Sequence, residues 1–106
     1  MEHITPAELQ RRLQGGERLR LLDIRERPEW QVCRLDGAEL RPMSEIHRWQ
    51  DELGPEGGPW VVYCHHGVRS VRVCAYLESL GHQGLINLRG GIAAWRDQVD
   101  PQMPGY

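Results

Sequence analysis

Apolar and polar positions follow two rhythms along this chain. Three short runs, "LRLLDI" (19–24), "PWVVYC" (59–64) and "GLINL" (84–88), are almost continuously apolar. They lack the alternation of a strand with one wet face, so they predict strands buried on both sides. Between them, apolar residues recur every three or four positions and predict helices. In "ITPAELQRRLQGG", Thr5 is the expected N-cap, Pro6 the first helical residue and Glu8 the capping-box partner. Leu9 and Leu13 make its buried stripe, and Gly15-Gly16 stop it. "SEIHRWQDELGP" predicts a helix capped by Ser44, with Ile46, Trp49 and Leu53 on one face and Gly54-Pro55 as its end. "SVRVCAYLESLG" gives the clearest helix, with Val73, Cys74, Leu77 and Leu80 on one stripe and Gly81 as C-cap. "GGIAAWRD" predicts a short final helix. "ERPEWQVC" reads as a turn or short helix, Ala38–Leu40 as a brief strand, and 97–106 as a surface tail.

Strands alternating with helices predict an α/β fold, a mainly parallel sheet covered on both faces. Sites in such sheets form where the carboxyl end of a strand leads into a helix. Cys64 falls at one such end, and Asp23-Ile24-Arg25 at another.

Composition narrows the class without changing this picture. The 106 residues suit one domain, expected to span 1–106, with an ordinary globular balance of 40% apolar and 26% charged residues. A net charge of −2 provides no electrostatic footprint for nucleic acid and no polybasic membrane patch. Three cysteines, Cys33, Cys64 and Cys74, with no CxxC spacing, make neither a disulfide framework nor a structural zinc site. The opening "MEHITPAELQ" lacks a basic-then-apolar signal pattern, and no segment is apolar enough to span a bilayer. The expectation is a cytoplasmic protein with reduced thiols.

The chemistry concentrates in "VVYCHHGVRS". A loop passing from strand to helix turns backbone N–H groups inward, and the helix N-terminus adds donors and partial positive charge. Together they cradle an anion. Gly67 permits the tight turn, and Arg69 adds a permanent cation. A thiol held there is stabilised as thiolate, which makes Cys64 a candidate nucleophile. The competing reading is a small apolar residue closing a strand.

The neighbours have their own alternatives. His65 and His66 are either pocket donors responsive near neutral pH or solvent-facing loop residues. Cys64-His65-His66 is a poor metal site, because consecutive residues on a tight loop seldom converge on one ion. Arg69 either binds an anionic group or shapes the loop. Ser70 is most simply the helix N-cap. Asp23 and Arg25 make a structural ion pair or a substrate contact. Cys74 and Cys33 read as core, with a disulfide or trisulfide to Cys64 as the alternative for Cys33. The four tryptophans read as packing residues.

On these residues the sequence resembles the rhodanese family, the single-domain sulfurtransferases. "LLDIRERPEW" resembles the family's Asp-x-Arg segment with its downstream Glu and aromatic, and "VVYCHHGVRS" its active-site loop. "INLRGGIAAW" resembles the Gly-Gly-x-x-x-Trp signature. "CRLDGAELRPMSEI" resembles the stretch usually written GHIPGAxxIP, with Cys33-Arg34-Leu35-Asp36 in place of Gly-His-Ile-Pro. The resemblance covers nearly the whole chain. It implies a three-layer α/β/α domain and two-step sulfur transfer. Cys64 takes the outer sulfur of thiosulfate or another persulfide or polysulfide donor, then passes it to cyanide, a thiol or a protein cysteine. His65, His66, Gly67, Val68, Arg69 and Ser70 form the substrate loop, and Asp23 and Arg25 support it. The resemblance implies no metal and no organic cofactor.

Cysteine-based phosphatases are the nearest competing enzymes, and their loop has five residues between Cys and Arg. Here four residues, His65 to Val68, separate Cys64 from Arg69. The smaller cradle suits one sulfur better than a phosphoryl or arsenate group. A non-catalytic sulfur-carrier or binding module serving a protein partner is the other alternative.

Overall fold

The computed structural model describes residues 1–105. Its elements run β1 (Glu2–Ile4), α1 (Pro6–Gln14), β2 (Arg20–Asp23), α2 (Arg27–Val32), β3 (Glu39–Leu40), a 3-10 turn (Met43–Glu45), α3 (Ile46–Trp49), β4 (Trp60–Tyr63), α4 (Val68–Ser79), β5 (Leu85–Leu88) and α5 (Gly91–Gln98). The strands form one sheet in the order β1-β5-β4-β2-β3. All four pairings are parallel, with Leu22 opposite Val62 and Val61 opposite Ile86. The expected α/β architecture with helices on both faces is observed.

The apolar runs explain the layers. Successive side chains of a strand point to opposite faces. Leu22, Ile24, Val62 and Cys64 therefore meet Val73, Cys74 and Leu77 of α4 and Trp49 of α3 on one face. Leu21, Val61, Tyr63, Ile86 and Leu88 meet Leu9 of α1 and Ile92 of α5 on the other. β2, β4 and β5 are mostly apolar because both faces are covered, and the buried exceptions, Asp23 and Asn87, are hydrogen-bonded. No helix among the described residues is long and apolar enough to cross a membrane.

Helix α1 forms as its sequence predicts. Thr5 Oγ1 accepts from Glu8 N–H at 3.2 Å, and Glu8 Oε1 accepts from Thr5 N–H at 3.0 Å. Such a cap contributes about 1 kcal/mol.

Other expectations need correction. Ser44 does not cap a long helix; it lies within the 3-10 turn, and its hydroxyl donates to Glu26 at 2.6 Å. Only Ile46–Trp49 continue as α-helix, though Trp49 and Leu53 are buried as expected. Leu80 is exposed rather than part of the α4 stripe, because the helix has ended at Ser79. It occupies the C-cap, and Gly81 follows it with φ +96°. Strand β1 was not anticipated: it is a three-residue edge strand with one buried side chain, Ile4. In the tail, Met103 packs against the α1–α5 layer and its carbonyl accepts from Arg96 Nε at 2.8 Å.

Candidate active site

The carboxyl ends of β2 and β4 are neighbours, so the segments following Asp23 and Tyr63 meet at one edge of the sheet. Cys64 leaves β4 and is buried, and Gly67 caps α4 with φ +94°. That left-handed conformation folds the loop back over the sulfur. Gly67 N–H donates to Cys64 Sγ at 3.1 Å, and Ser70 N–H does so at 3.4 Å. Ser70 is therefore not the N-cap. It sits in the first turn, where its amide is one of the unpaired donors of a helix start. The thiol also contacts Ser70 Oγ at 3.5 Å. Two inward amides around one sulfur are the geometry of an anion cradle.

A second layer of backbone bonds braces the loop. Ile92 N–H donates to Cys64 O at 2.9 Å, and Ala93 N–H to His65 O at 3.0 Å. The start of α5 is thus stapled to the loop carbonyls. The approach is close enough that a Cβ on Gly91 would lie 2.5 Å from Cys64 O and 2.4 Å from His65 O, and Gly91 itself has φ +65°. This is the physical requirement for glycine at position 91.

Arg69 lies on the second residue of α4, and its guanidinium makes two parallel bonds to Glu29 of α2, at 2.9 and 2.8 Å. These bonds draw the Glu29 carboxyl down to about 2 against the opposing effect of its burial. Glu29 also accepts from Glu26 N–H, completing the start of α2. The cation expected at the loop entrance is therefore already paired with a carboxylate.

Asp23 and Arg25 are close to the loop in sequence topology but fully buried, with both side chains at 0% exposure. Arg25 donates to Asp23 through its backbone N–H and through Nε and a terminal nitrogen, at 2.8–3.2 Å. It also donates to the Cys33 carbonyl at 2.6 Å and lies against Tyr63. This pair ties the end of β2 to the end of α2, as a structural pair would.

Of the remaining loop residues, His66 and Val68 are exposed and His65 is partly buried. Val68 is exposed at the first position of α4. The His65 and His66 rings lie 4.0 Å apart and line a pocket of about 310 Å³ with Cys33, Ile92, Arg96 and Met103. Cys64 does not line that pocket, which flanks the cradle on the α5 side. Burial, with the neighbouring His66, holds His65 below the ordinary imidazole range. Among the described residues, no cluster of three or more His, Cys, Asp or Glu side chains is placed to hold a metal.

Asn87 was not singled out from the sequence, and Glu29 entered only as the Glu before Trp30 in the segment that resembles the family's. Asn87 is a buried polar residue on β5; its Oδ1 accepts from Ser70 Oγ at 2.6 Å, and its Nδ2 meets His3 Nδ1 at 3.2 Å. A polar residue inside the apolar run "LINL" was the available signal. For Glu29 the motif marked the residue but not its partner, Arg69.

A buried thiol cradled by loop amides, at the carboxyl end of a five-stranded parallel sheet with helices on both faces, defines an α/β domain with a thiol-centred anion loop. Residues 5–98 match the family model described as a rhodanese-like domain, and the chain belongs to that family. The sulfurtransferase of Allochromatium vinosum is 37% identical over 95 residues, covering 90% of this chain and 88% of that protein. The probable adenylyltransferase/sulfurtransferase MoeZ of Mycobacterium tuberculosis is 38% identical over 104 residues. That alignment covers 97% of this chain and 26% of MoeZ, so the chain spans about a quarter of that relative's length. Among solved structures, a rhodanese-like domain protein from Staphylococcus aureus superimposes with a TM-score of 0.83 at 30% identity, covering 93% of this chain and 95% of that one.

Proposed function

We propose that residues 1–106 act as one sulfurtransferase unit in which Cys64 carries the transferred sulfur as a persulfide. Membership of the rhodanese-like family, and relatives named sulfurtransferases, support transfer of sulfur. The observation that carries the mechanism is the pair of amides, Gly67 and Ser70, aimed at Cys64 Sγ. Such donors stabilise the attacking thiolate and the negative charge of the sulfur it acquires.

With thiosulfate as donor, the Cys64 thiolate attacks the outer sulfur. A new S–S bond forms, the S–S bond of thiosulfate breaks, and sulfite leaves with that electron pair. The acceptor then attacks the terminal persulfide sulfur, and the thiolate leaves. Cyanide departs as thiocyanate, and a thiolate acceptor departs as a persulfide. Neither step needs a metal or an organic cofactor. The short span from Cys64 to Arg69 favours sulfur over a phosphoryl group. The similarity to MoeZ, a named adenylyltransferase/sulfurtransferase, makes a protein cysteine a reasonable acceptor beside cyanide and small thiols.

Intact mass after incubation with thiosulfate, polysulfide or glutathione persulfide tests this reading. A gain of one sulfur atom is expected on wild type and not on Cys64→Ser. The reading fails if no donor loads wild type, or if Cys64→Ser loads equally.

A further inference from the structure

Behind the cradle runs a buried chain of polar side chains, Cys64–Ser70–Asn87, ending at His3 on the edge strand β1. Ser70 is 0% exposed and Asn87 3%. The hydrogen atoms along it can be assigned from chemistry. A carboxamide oxygen only accepts, so the 2.6 Å contact to Asn87 Oδ1 uses the single hydroxyl hydrogen of Ser70. At the opposite end Asn87 Nδ2 meets His3 Nδ1 at 3.2 Å, a contact in which the amide donates when Nδ1 is the unprotonated ring nitrogen. Ser70 Oγ therefore presents a lone pair, not a hydrogen, to Cys64 Sγ 3.5 Å away.

We propose that Asn87 is a positioning residue that withholds the Ser70 hydroxyl hydrogen from the Cys64 sulfur. The inference rests on Cys64 being the nucleophile. In the thiol state Ser70 Oγ accepts from S–H. In the thiolate state the sulfur keeps its two backbone donors, and a third, the hydroxyl, is denied to it. In the persulfide the negative charge has moved to the outer sulfur, and the inner one no longer needs that hydrogen. Denying the donor thus raises the energy of the resting thiolate and leaves the loaded state alone. That favours sulfur uptake. It also keeps the thiolate reactive, since intrinsic nucleophilicity falls as a thiolate is stabilised: a Brønsted slope of about 0.5 costs roughly threefold in rate per unit.

Iodoacetamide alkylation of Cys64 against pH reads this directly and needs no sulfur donor, so it is separate from the mass test of persulfide formation. Asn87→Leu frees the hydroxyl to turn toward the sulfur. The pH of half-maximal alkylation should fall by about one unit, and the limiting rate by roughly threefold. Ser70→Ala removes the hydroxyl, and should give no upward shift. Adding Asn87→Leu to Ser70→Ala should then change nothing further. An upward shift in Ser70→Ala would mean the hydroxyl already donates to the sulfur, and would overturn the proposal whether or not Asn87→Leu folds. An equal shift from Asn87→Leu in both backgrounds would overturn it as well. Arg69 with Glu29, Asp23 with Arg25, His3, His65, His66 and Cys74 are the other ionisable groups about the loop and its chain, and all are retained in every variant.

Discussion

Glu29 and Arg69 join α2 to α4 across forty residues of sequence by a bidentate bond of 2.9 and 2.8 Å. The pair decides how much positive charge the loop entrance offers. An arginine held fork-to-fork by a carboxylate is a weaker attractor of a doubly charged donor than a solitary one. Glu29→Gln is therefore expected to lower the KM for thiosulfate about threefold, and Arg69→Ala to raise it by a similar factor. The neutralised Coulomb energy of a screened pair near the surface is on the order of 1 kcal/mol. Polysulfide turnover should change less in both variants. Thiosulfate:cyanide kinetics at low and high salt check this. Equal losses for both donors would assign the pair to shaping the loop alone.

The same bond makes stability depend on pH. The Glu29 carboxyl titrates at about 2 in the folded protein against 4.5 ordinarily. Between those values the unfolded chain binds more protons than the folded one, so stability rises with pH there. The contribution is complete above about pH 5 and is lost as pH falls toward 2. The Arg69 side chain is 34% exposed, so solvent screening reduces the benefit to about 1 kcal/mol. Urea unfolding of wild type and Glu29→Gln should differ by that amount at pH 7 and converge near pH 2. A constant difference would remove Glu29 as the cause.

Legibility of the fold followed the range of the interactions. "LRLLDI", "PWVVYC" and "GLINL" announced themselves because a strand covered on both faces reads as a near-continuous apolar run. Thr5 and Glu8 lie three residues apart, and their capping box needed no tertiary information. Ser44 and Ser70 carried the same cap signal and lie elsewhere. Gly67, with φ +94°, supplies the sharper turn that α4 requires, and Ser44 is drawn to Glu26 eighteen residues away. The cradle was legible from strand, Cys, Gly and helix in order. Its partners were not, because Glu29 reaches Arg69 and Asn87 reaches Ser70 only once the sheet has formed. Strand β1 is too short for any period to appear.

Asp23 and Arg25 are both wholly buried, so breaking the pair strands a charge in the interior. Asp23→Ala should cost about 3–5 kcal/mol, the range for removing one partner of a buried ion pair. The Arg25 backbone N–H would also lose its acceptor, Asp23 Oδ1, at the end of β2. Chemical denaturation measures the loss. A cost under about 1 kcal/mol would show that Arg25 reaches solvent or another anion.

Cys74 provides an internal control for thiol chemistry. It packs on the buried face of α4, and burial, aided by Glu78, pushes its thiol up to about 12. Neutral and shielded at pH 7–8, it should neither alkylate nor gain sulfur while the protein is folded. Peptide mapping after thiosulfate and iodoacetamide should place no modification on Cys74. Modification there at a rate matching Cys64 would mean that α4 opens readily.

Gly91 tests whether the loop is held by its brace. An alanine there would place a methyl group about 2.5 Å from the carbonyl oxygens of Cys64 and His65, at φ +65°. Side chains avoid both that distance and that backbone region. The clash is with backbone, so no rotamer relieves it. Either α5 moves away, losing the bonds from Ile92 and Ala93, or the loop carbonyls rotate and carry the Gly67 and Ser70 amides off the sulfur. Gly91→Ala should cost about 2 kcal/mol or more in stability. It should also slow sulfur loading of Cys64 by at least tenfold under conditions where the variant remains folded. Gly81→Ala is the matched control: Gly81 also has positive φ, at +96°, but nothing within 4 Å to strike. It should lose stability through backbone strain alone and load sulfur at the wild-type rate. If Gly91→Ala and Gly81→Ala load sulfur equally fast, the α5 staple does not hold the cradle in shape.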